Sequence, residues 1–532
     1  MYALALAAVA LAAPKPSVVV VLSIDQFRSD YITRFQDDFL PAKSGSKLGG
    51  FKWLMDNGAR FVNARYRHCP TATGPGHSVI GTGSTPGISG IVANEWYDRT
   101  SGKSMYCVED SSVTDVLTGK PSMSPKNQRV STVVDELEMA TNGKSITVSI
   151  AVKDRASILL AGHAADYVTW YDKGSGKWTT STYYAKDGKL PDWIAKVNDK
   201  KIPDRWKGKN WELSQAPATY DDTFPTSRPG PPLGFGNTFP HTLGSDDAFY
   251  NRFTFTPFAN EFVAETAASA IDSLGIGKDN VPDVITLNFS PNDYIGHAFG
   301  PYSPEVKEMT IGTDKAVSQL LNTLDEKVPG GISKVMFVLT ADHGVAGVNA
   351  DRSSRGIPAQ LLDRAFFDKL KSDTEAKLGV QPIAQVDDGM LWLDRKMLAG
   401  AGISLEKAQT VVADLIGADS RIYRTYTGLS VAKLVPGDPI DEAYRRDFDP
   451  ERGADVFFVA WPEVYQGGNS GTGHGTAWIY DRSVPMLFAG PGIEKGLHAE
   501  EVGPDDIAPT VAAALGIIPP SGCVGKAVGF QR

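Results

Sequence analysis

The stretch Val18-Val19-Val20-Val21-Leu22-Ser23-Ile24 runs without a break into Asp25. A strand with one face in water alternates apolar and polar residues. This one does not, so it reads as a strand buried on both faces, as in a parallel sheet covered by helices. The pattern recurs: Ser145 to Val152 runs into Lys153, Val284 to Phe289 into Ser290, and Lys334 to Leu339 into Thr340, Ala341 and Asp342. Helical patterns lie between these runs, at Phe262 to Leu274 and Val306 to Leu324. The alternation predicts an α/β three-layer sandwich with a mostly parallel central sheet. Ligands of such sheets bind at the carboxyl ends of the strands. That places Asp25, Lys153 and Asp342 around one crevice, and Asp293, four residues past Phe289, can join them.

A chain of 532 residues exceeds the size at which one core keeps growing, so several domains or one large decorated domain are expected. Two segments break the pattern, residues 172–252 and 351–453; the second carries one strand-like run, Met390 to Leu393. Both read as insertions that roof the site, within a single catalytic domain spanning 14–532. The formal net charge of −9 argues against nucleic acid as the ligand, which needs a basic surface, but leaves room for a small phosphorylated substrate. Residues 1–13 form an apolar, alanine-rich run ending in small residues. It is too short to span a bilayer and reads as a secretory signal cut after Ala12 or Ala13, which implies a periplasmic or secreted protein. No later stretch has the length and apolarity of a membrane span. Cys69, Cys107 and Cys523 form neither a metal motif nor a disulfide framework; in an oxidising compartment, one disulfide and one free thiol are expected.

Candidate metal ligands come next. Asp293 and His297 stand four apart, a spacing that brings both side chains to one face of a helical turn. Asp342 and His343 are adjacent at a strand end, and His474 lies in Gly473-His474-Gly475-Thr476, where small neighbours leave room for an approach. Carboxylates and imidazoles are what zinc takes at a hydrolytic site. A lone His is more often structural, and an Asp at a strand end often caps a helix. The ordered set is harder to explain that way. A nucleophile candidate lies in Pro70-Thr71-Ala72-Thr73-Gly74-Pro75-Gly76-His77, a loop suited to lead into a helix whose first N–H groups point at an anion. Its bland reading is an N-cap by Thr71 or Thr73.

These motifs, with Ser23 to Arg28, Gly90 to Asp98, Lys153-Asp154-Arg155 and Asp506 to Thr510, resemble the alkaline phosphatase superfamily. The resemblance is to its type I phosphodiesterase/nucleotide pyrophosphatase branch, and there to the PafA-type bacterial alkaline phosphatases. It implies two Zn2+ ions. Asp25, Asp342 and His343 match one zinc site, with Thr73 as a further ligand, and Asp293, His297 and His474 match the other. It also implies Thr73 as nucleophile, through a phospho-threonine intermediate, with Asn94 binding phosphate 21 residues downstream. His77 matches a scaffold position, and His68, His163, His241 and His498 match none.

Lys153 and Arg155 bear on the substrate class. Continued as a strand, the segment puts both on one face, two apart. A monoester presents a dianionic group with three terminal oxygens, which a lysine and a forked arginine suit. The resemblance agrees, since PafA-type monoesterases carry this Lys-x-Arg. It implies phosphate monoester hydrolysis, with a phosphodiesterase as the alternative and an inactive zinc- or phosphate-binding module as a remote one. A sulfatase fits poorly: Thr73-Gly74-Pro75-Gly76-His77 lacks the modifiable Cys or Ser and the Arg of that motif, and Cys69 is followed directly by Pro70.

Overall fold

The computed structural model describes residues 15–224, 232–435, 437–467 and 471–530; the expected secretory run at 1–13 lies outside them. The central sheet contains, in chain order, β1 (Val18–Ile24), β2 (Gly58–Phe61), β3 (Thr147–Ala151), β4 (Tyr167–Asp172), β5 (Lys177–Thr179), β6 (Asp283–Phe289), β7 (Val335–Thr340), β8 (Met486–Ala489) and β9 (Gly496–His498). Its order is β5-β4-β3-β6-β1-β7-β8-β2-β9. Strands β4, β3, β6, β1 and β7 run parallel, while β8 is antiparallel to both neighbours and β5 is an antiparallel edge.

Strand β1 shows why the unbroken apolar runs arise. Val18, Val20, Leu22 and Ile24 enter one core cluster, with Phe262 and Leu320 from the helices Pro257–Leu274 and Pro304–Lys327. Val19 and Val21 enter another, with Ile80, Leu159 and Val511 from the helices Thr73–Thr82, Asp154–Ala161 and Ile507–Leu515. Alternate residues of one strand thus serve two cores, and both faces must be apolar. The fold is the expected three-layer α/β sandwich.

Both irregular segments pack on this core. In the first, β5 extends the main sheet and buries Trp178, whose ring stacks on Phe262 at 4.7 Å. The second contributes to an antiparallel sheet of Ile383–Asp387, Met390–Leu393, Val456–Ala460 and Ile422–Thr427, in that order. Leu370, Leu378, Val412 and Ile416 cover it from two helices as a third core cluster. The unit runs past residue 453, because Val456–Ala460 is the strand that joins Met390–Leu393 to Ile422–Thr427.

The expected disulfide is not formed; all three cysteines are free. Cys107 Sγ sits against Gly74 at the start of the Thr73–Thr82 helix, and Cys523 Sγ against Gly83 just past its end. Those glycines are about 13 Å apart at 1.5 Å per residue, whereas a disulfide needs Cα atoms within about 7 Å. Cys69 is buried with its Sγ facing Gly475 O. Among the described residues, no helix is long and apolar enough to cross a membrane.

Candidate active site

Parallel pairing puts the carboxyl ends of β3, β6, β1 and β7 on one edge of the sheet, and the candidate residues converge there. Asp25 follows β1, Asp342 and His343 follow β7, and Asp293 and His297 sit on the helix Pro291–Phe299 that follows β6. His474 arrives on a loop, its ring stacked 3.7 Å from that of His343. Potential ligand atoms cluster in three overlapping groups: Asp293, His297 and His474; Asp25, Asp293 and His343; and Asp25, His77 and Asp342. His343 Nε2 also lies 3.4 Å from Asp342 Oδ2 and 3.7 Å from Asp25 Oδ1. The chain therefore brings all six sequence-derived carboxylates and imidazoles together, with His77 beside them.

The histidine hydrogen bonds separate His77 from the others. Nδ1 of His297, His343 and His474 meets the backbone oxygen of Thr472, Gly344 and Thr71 at 2.7, 2.9 and 2.8 Å. Such a bond fixes the tautomer and leaves Nε2 as the ligating nitrogen. His77 has both nitrogens engaged, Nδ1 with Thr73 O at 2.8 Å and Nε2 with the Asn288 amide at 2.9 Å. The fit to metal rests on the carboxylates. Asp25 Oδ2 and Asp342 Oδ2 are buried with no hydrogen-bond partner, a deficit that a bound cation would relieve. Lys153 Nζ takes a cation's position, 2.9 Å from Asp25 Oδ1 and 2.6 Å from Asp293 Oδ2. The donor set of carboxylates and imidazoles suits zinc.

Thr73 opens the helix Thr73–Thr82, whose N-cap is Ala72, so its hydroxyl does not cap. Thr73 Oγ1 instead accepts from Lys153 Nζ at 3.3 Å and Arg155 Nη2 at 3.2 Å, and stands 3.5 Å from His343 Nε2. Thr71 Oγ1 is buried without a partner. The helix approaches β7 closely: a Cβ on Gly76 would stand 2.4 Å from Asp342 O, which requires glycine. Most of the expected anion-binding N–H groups are not on offer. Gly74 N–H donates to Asn94 Oδ1 at 2.7 Å, Pro75 has none, and Gly76 N–H is bonded to Ala72 O. Of the first-turn donors, these leave the Thr73 N–H for an anion, beside the side chains. The bond from Gly74 commits Asn94 Oδ1 and leaves the amide nitrogen as its donor end.

Lys153 and Arg155 do not share a strand face. Strand β3 stops at Ala151, and Lys153 is the N-cap of the helix Asp154–Ala161. Asp154 at the first helical position favours that start. Both side chains still reach Thr73 Oγ1.

The type I phosphodiesterase / nucleotide pyrophosphatase family matches residues 19–428. The chain belongs to that family. It is similar to alkaline phosphatase PafA of Elizabethkingia meningoseptica, with 34% identity over 97% of this chain and 94% of that protein. With alkaline phosphatase PhoV of Synechococcus elongatus it shares 32% identity over 97% and 92% of the two chains. A crystal structure of wild-type alkaline phosphatase PafA matches with a TM-score of 0.90 at 32% identity, over 97% of this chain and 99% of that one. A member of this family with these relatives is a hydrolase of phosphate esters.

Electrostatics in this family member follow from burial and crowding. Burial, and then Asp25, push the Asp342 carboxyl well above its usual range. Burial also works against the charge on Asp293, but His297 and Lys153 outweigh it and hold that carboxyl well below its usual range. Burial pulls His343 down to about 4, and burial with the neighbouring His343 and His297 takes His474 well below normal. The shifts of His343, His474 and Asp293 favour the forms that bind a metal, whereas at His297 burial is outweighed by Asp293, which raises that imidazole. The remaining histidines serve elsewhere: His163 pairs with Asp135, His241 with Glu305, His498 stacks on Phe61, and buried His68 falls to about 3.

Sequence reasoning missed two supports of the site. Gln26, at a φ of 58°, gives its backbone N–H to Asp342 Oδ1 at 3.0 Å and its amide to Asp293 Oδ1 at 2.6 Å. It lay inside a quoted motif but had no assigned role. Tyr106, outside every motif, touches both Arg155 and Asp154.

Proposed function

We propose that this protein is a zinc-dependent phosphate monoesterase in which Thr73 is the nucleophile. The observation that carries the reading is Thr73 Oγ1, shared by Lys153 and Arg155 beside the carboxylate and imidazole cluster. Asp25, Asp342 and His343 would hold one ion and Asp293, His297 and His474 the other. Two zinc ions so held would lower the pKa of a coordinated hydroxyl and offset charge on the attacking and departing oxygens.

The chain's own groups do the rest. Thr73 Oγ attacks phosphorus in line and gives up its proton to solvent; the ester P–O bond on the opposite side breaks, and the departing alkoxide takes a proton from water to leave as the alcohol. Arg155 and Lys153 donate to the equatorial oxygens, where charge sits in the transition state, and the Asn94 amide supplies a neutral donor. The phospho-threonine is then hydrolysed by water. Two cations at the nucleophile suit a dianionic monoester better than a diester, which has one charge and a second substituent. Relatives named alkaline phosphatase support the same choice. The family's phosphodiesterase name supports a diester side activity.

The apolar run ahead of Pro14 supports an exported enzyme, periplasmic or secreted. We read the segments 172–252 and 351–453 as insertions into the catalytic domain; the second meets the site where Asp388 packs on Gly475. The test is a panel of aryl phosphate monoesters, diesters and sulfate esters on the purified enzyme. Monoesters are expected to turn over fastest. Faster diester turnover would overturn the assignment.

A further inference from the structure

Arg155 spends both ends of its fork. Nη2 donates to Thr73 Oγ1 at 3.2 Å, and Nη1 donates to the Tyr106 hydroxyl at 3.3 Å. That hydroxyl donates in turn to Asp154 Oδ1 at 2.5 Å, and the same carboxylate oxygen accepts the Arg155 backbone N–H at 2.5 Å. Side chain and backbone of Arg155 are thus tied to one Tyr106–Asp154 pair. Arg155 Nε is buried with no partner. Among the described residues, Tyr106 is then the side chain besides Thr73 that orients the guanidinium by hydrogen bonding.

The position of Tyr106 in the chain adds a second link. It ends the strand Lys103–Tyr106, which pairs with Glu95–Asp98, and Glu95 faces Tyr106 across the ladder. At the neck of this hairpin, Cys107 N–H donates to Asn94 O at 2.9 Å. Asn94 meanwhile holds Gly74, the residue after Thr73. One hairpin neck therefore carries Asn94 and grips Arg155. Burial and the neighbouring Asp154 keep the Tyr106 phenol well above its ordinary pKa, so it stays a hydroxyl that accepts from Arg155 and donates to Asp154.

We infer that Tyr106 is a positioning residue for monoester hydrolysis, its hydroxyl aiming the Arg155 guanidinium at the phosphoryl site and tying it to Asn94. The inference rests on the reading of Arg155 as a phosphoryl ligand. A guanidinium held in place loses less entropy on meeting its oxygens than one that must be captured from solvent. The aim matters most for a dianionic group, which takes more from Arg155 than a diester does.

The test measures kcat/KM for an aryl phosphate monoester and a diester with Tyr106→Phe, Arg155→Ala and the double variant. Phenylalanine keeps the ring and removes the hydroxyl. We expect Tyr106→Phe to lower the monoester kcat/KM about 3- to 10-fold, the cost of one hydrogen bond, with a smaller loss on the diester. In the Arg155→Ala background the same replacement should have almost no further effect, because the group it aims is gone. Asp154→Asn, which weakens the other end of the relay, should move the monoester-to-diester ratio in the same direction. Equal losses on both esters, or a full Tyr106→Phe effect without Arg155, would overturn the positioning role and leave a merely structural tyrosine. If Arg155→Ala itself leaves the ratio unchanged, the reading of Arg155 fails and takes the inference with it.

Discussion

The carboxylate-and-imidazole half of the site and its cationic half are built differently. Asp25, Asp293, Asp342 and His343 sit at or just past the ends of adjacent parallel strands, so the register of β6, β1 and β7 sets their spacing. Lys153, Arg155 and Asn94 come from a helix start and a hairpin neck, and one hydroxyl, Thr73 Oγ1, is where both cations meet. The first half is placed by backbone that cannot shift without breaking the sheet. The second is placed by side-chain hydrogen bonds that a single substitution can release. Damage to the first should therefore show as lost metal, and damage to the second as changed selectivity with metal retained.

The largest expected effect tests the first half. Chelation should abolish turnover and zinc should restore it, with about two zinc ions per chain by elemental analysis, the number two-metal displacement requires. A metal-free preparation with full activity would remove the premise of the comparison. Thr73→Ala comes next and tests the point where the halves meet. Loss of the nucleophile should cost about 10³-fold or more in kcat, as removal of such a group does elsewhere. Fold and zinc content should persist, because Thr73 begins a helix without capping it. At low pH, phosphate trapped from wild type should map to Thr73; a dead Thr71→Ala variant with active Thr73→Ala would shift the nucleophile by two residues.

Arg155→Ala and Lys153→Ala probe the second half. A charge-assisted hydrogen bond is worth about 1.5–3 kcal/mol, or about 10- to 150-fold in rate if fully expressed in the transition state. The double variant should lose that much per residue on a monoester and far less on a diester. The two singles should differ. Lys153 also bridges Asp25 and Asp293, whereas Arg155 makes no ion pair with either. Zinc content should thus hold in Arg155→Ala and change in Lys153→Ala. Identical zinc content in both would show that the bridging ammonium has no part in the carboxylate cluster.

The same division explains what could be read from the sequence. Strands buried on both faces leave unbroken apolar runs, and the residue that ends each run is local information; Asp25, Asp342 and Met390–Leu393 were legible for that reason. Asp293 and His297 share a helical turn and were legible as a spacing. Hydrogen bonds across the fold leave no such trace. Gln26 lies 267 positions from Asp293, and Tyr106 lies 48 from Asp154. The helix start at Asp154 left no separate trace because the apolar run of β3 masked it, and the Gly74 N–H is spent on Asn94, a partner that composition does not reveal. The disulfide failed because counting cysteines ignores the helix standing between Cys107 and Cys523.

The smallest expected change in rate belongs to Gln26, and it separates the two halves most directly. Its backbone N–H and side-chain amide each hold one carboxylate, Asp342 and Asp293, from the two proposed zinc sites. Gln26→Ala keeps the first bond and deletes the second. An outer hydrogen bond to a metal ligand is worth about 10- to 100-fold in metal affinity. Asp293 would keep Lys153 and His297 as partners, so the site should still assemble when zinc is in excess. Chelator competition should then show weakened zinc retention, while kcat at saturating zinc falls by no more than about threefold, because the lost bond acts on zinc retention and not on the reacting oxygens. The monoester-to-diester ratio should not move, because no group that meets the phosphoryl oxygens has been touched. A variant that binds zinc normally yet changes that ratio would place Gln26 with the cationic half, and the division by backbone and side-chain placement would fail at the residue that touches both carboxylates.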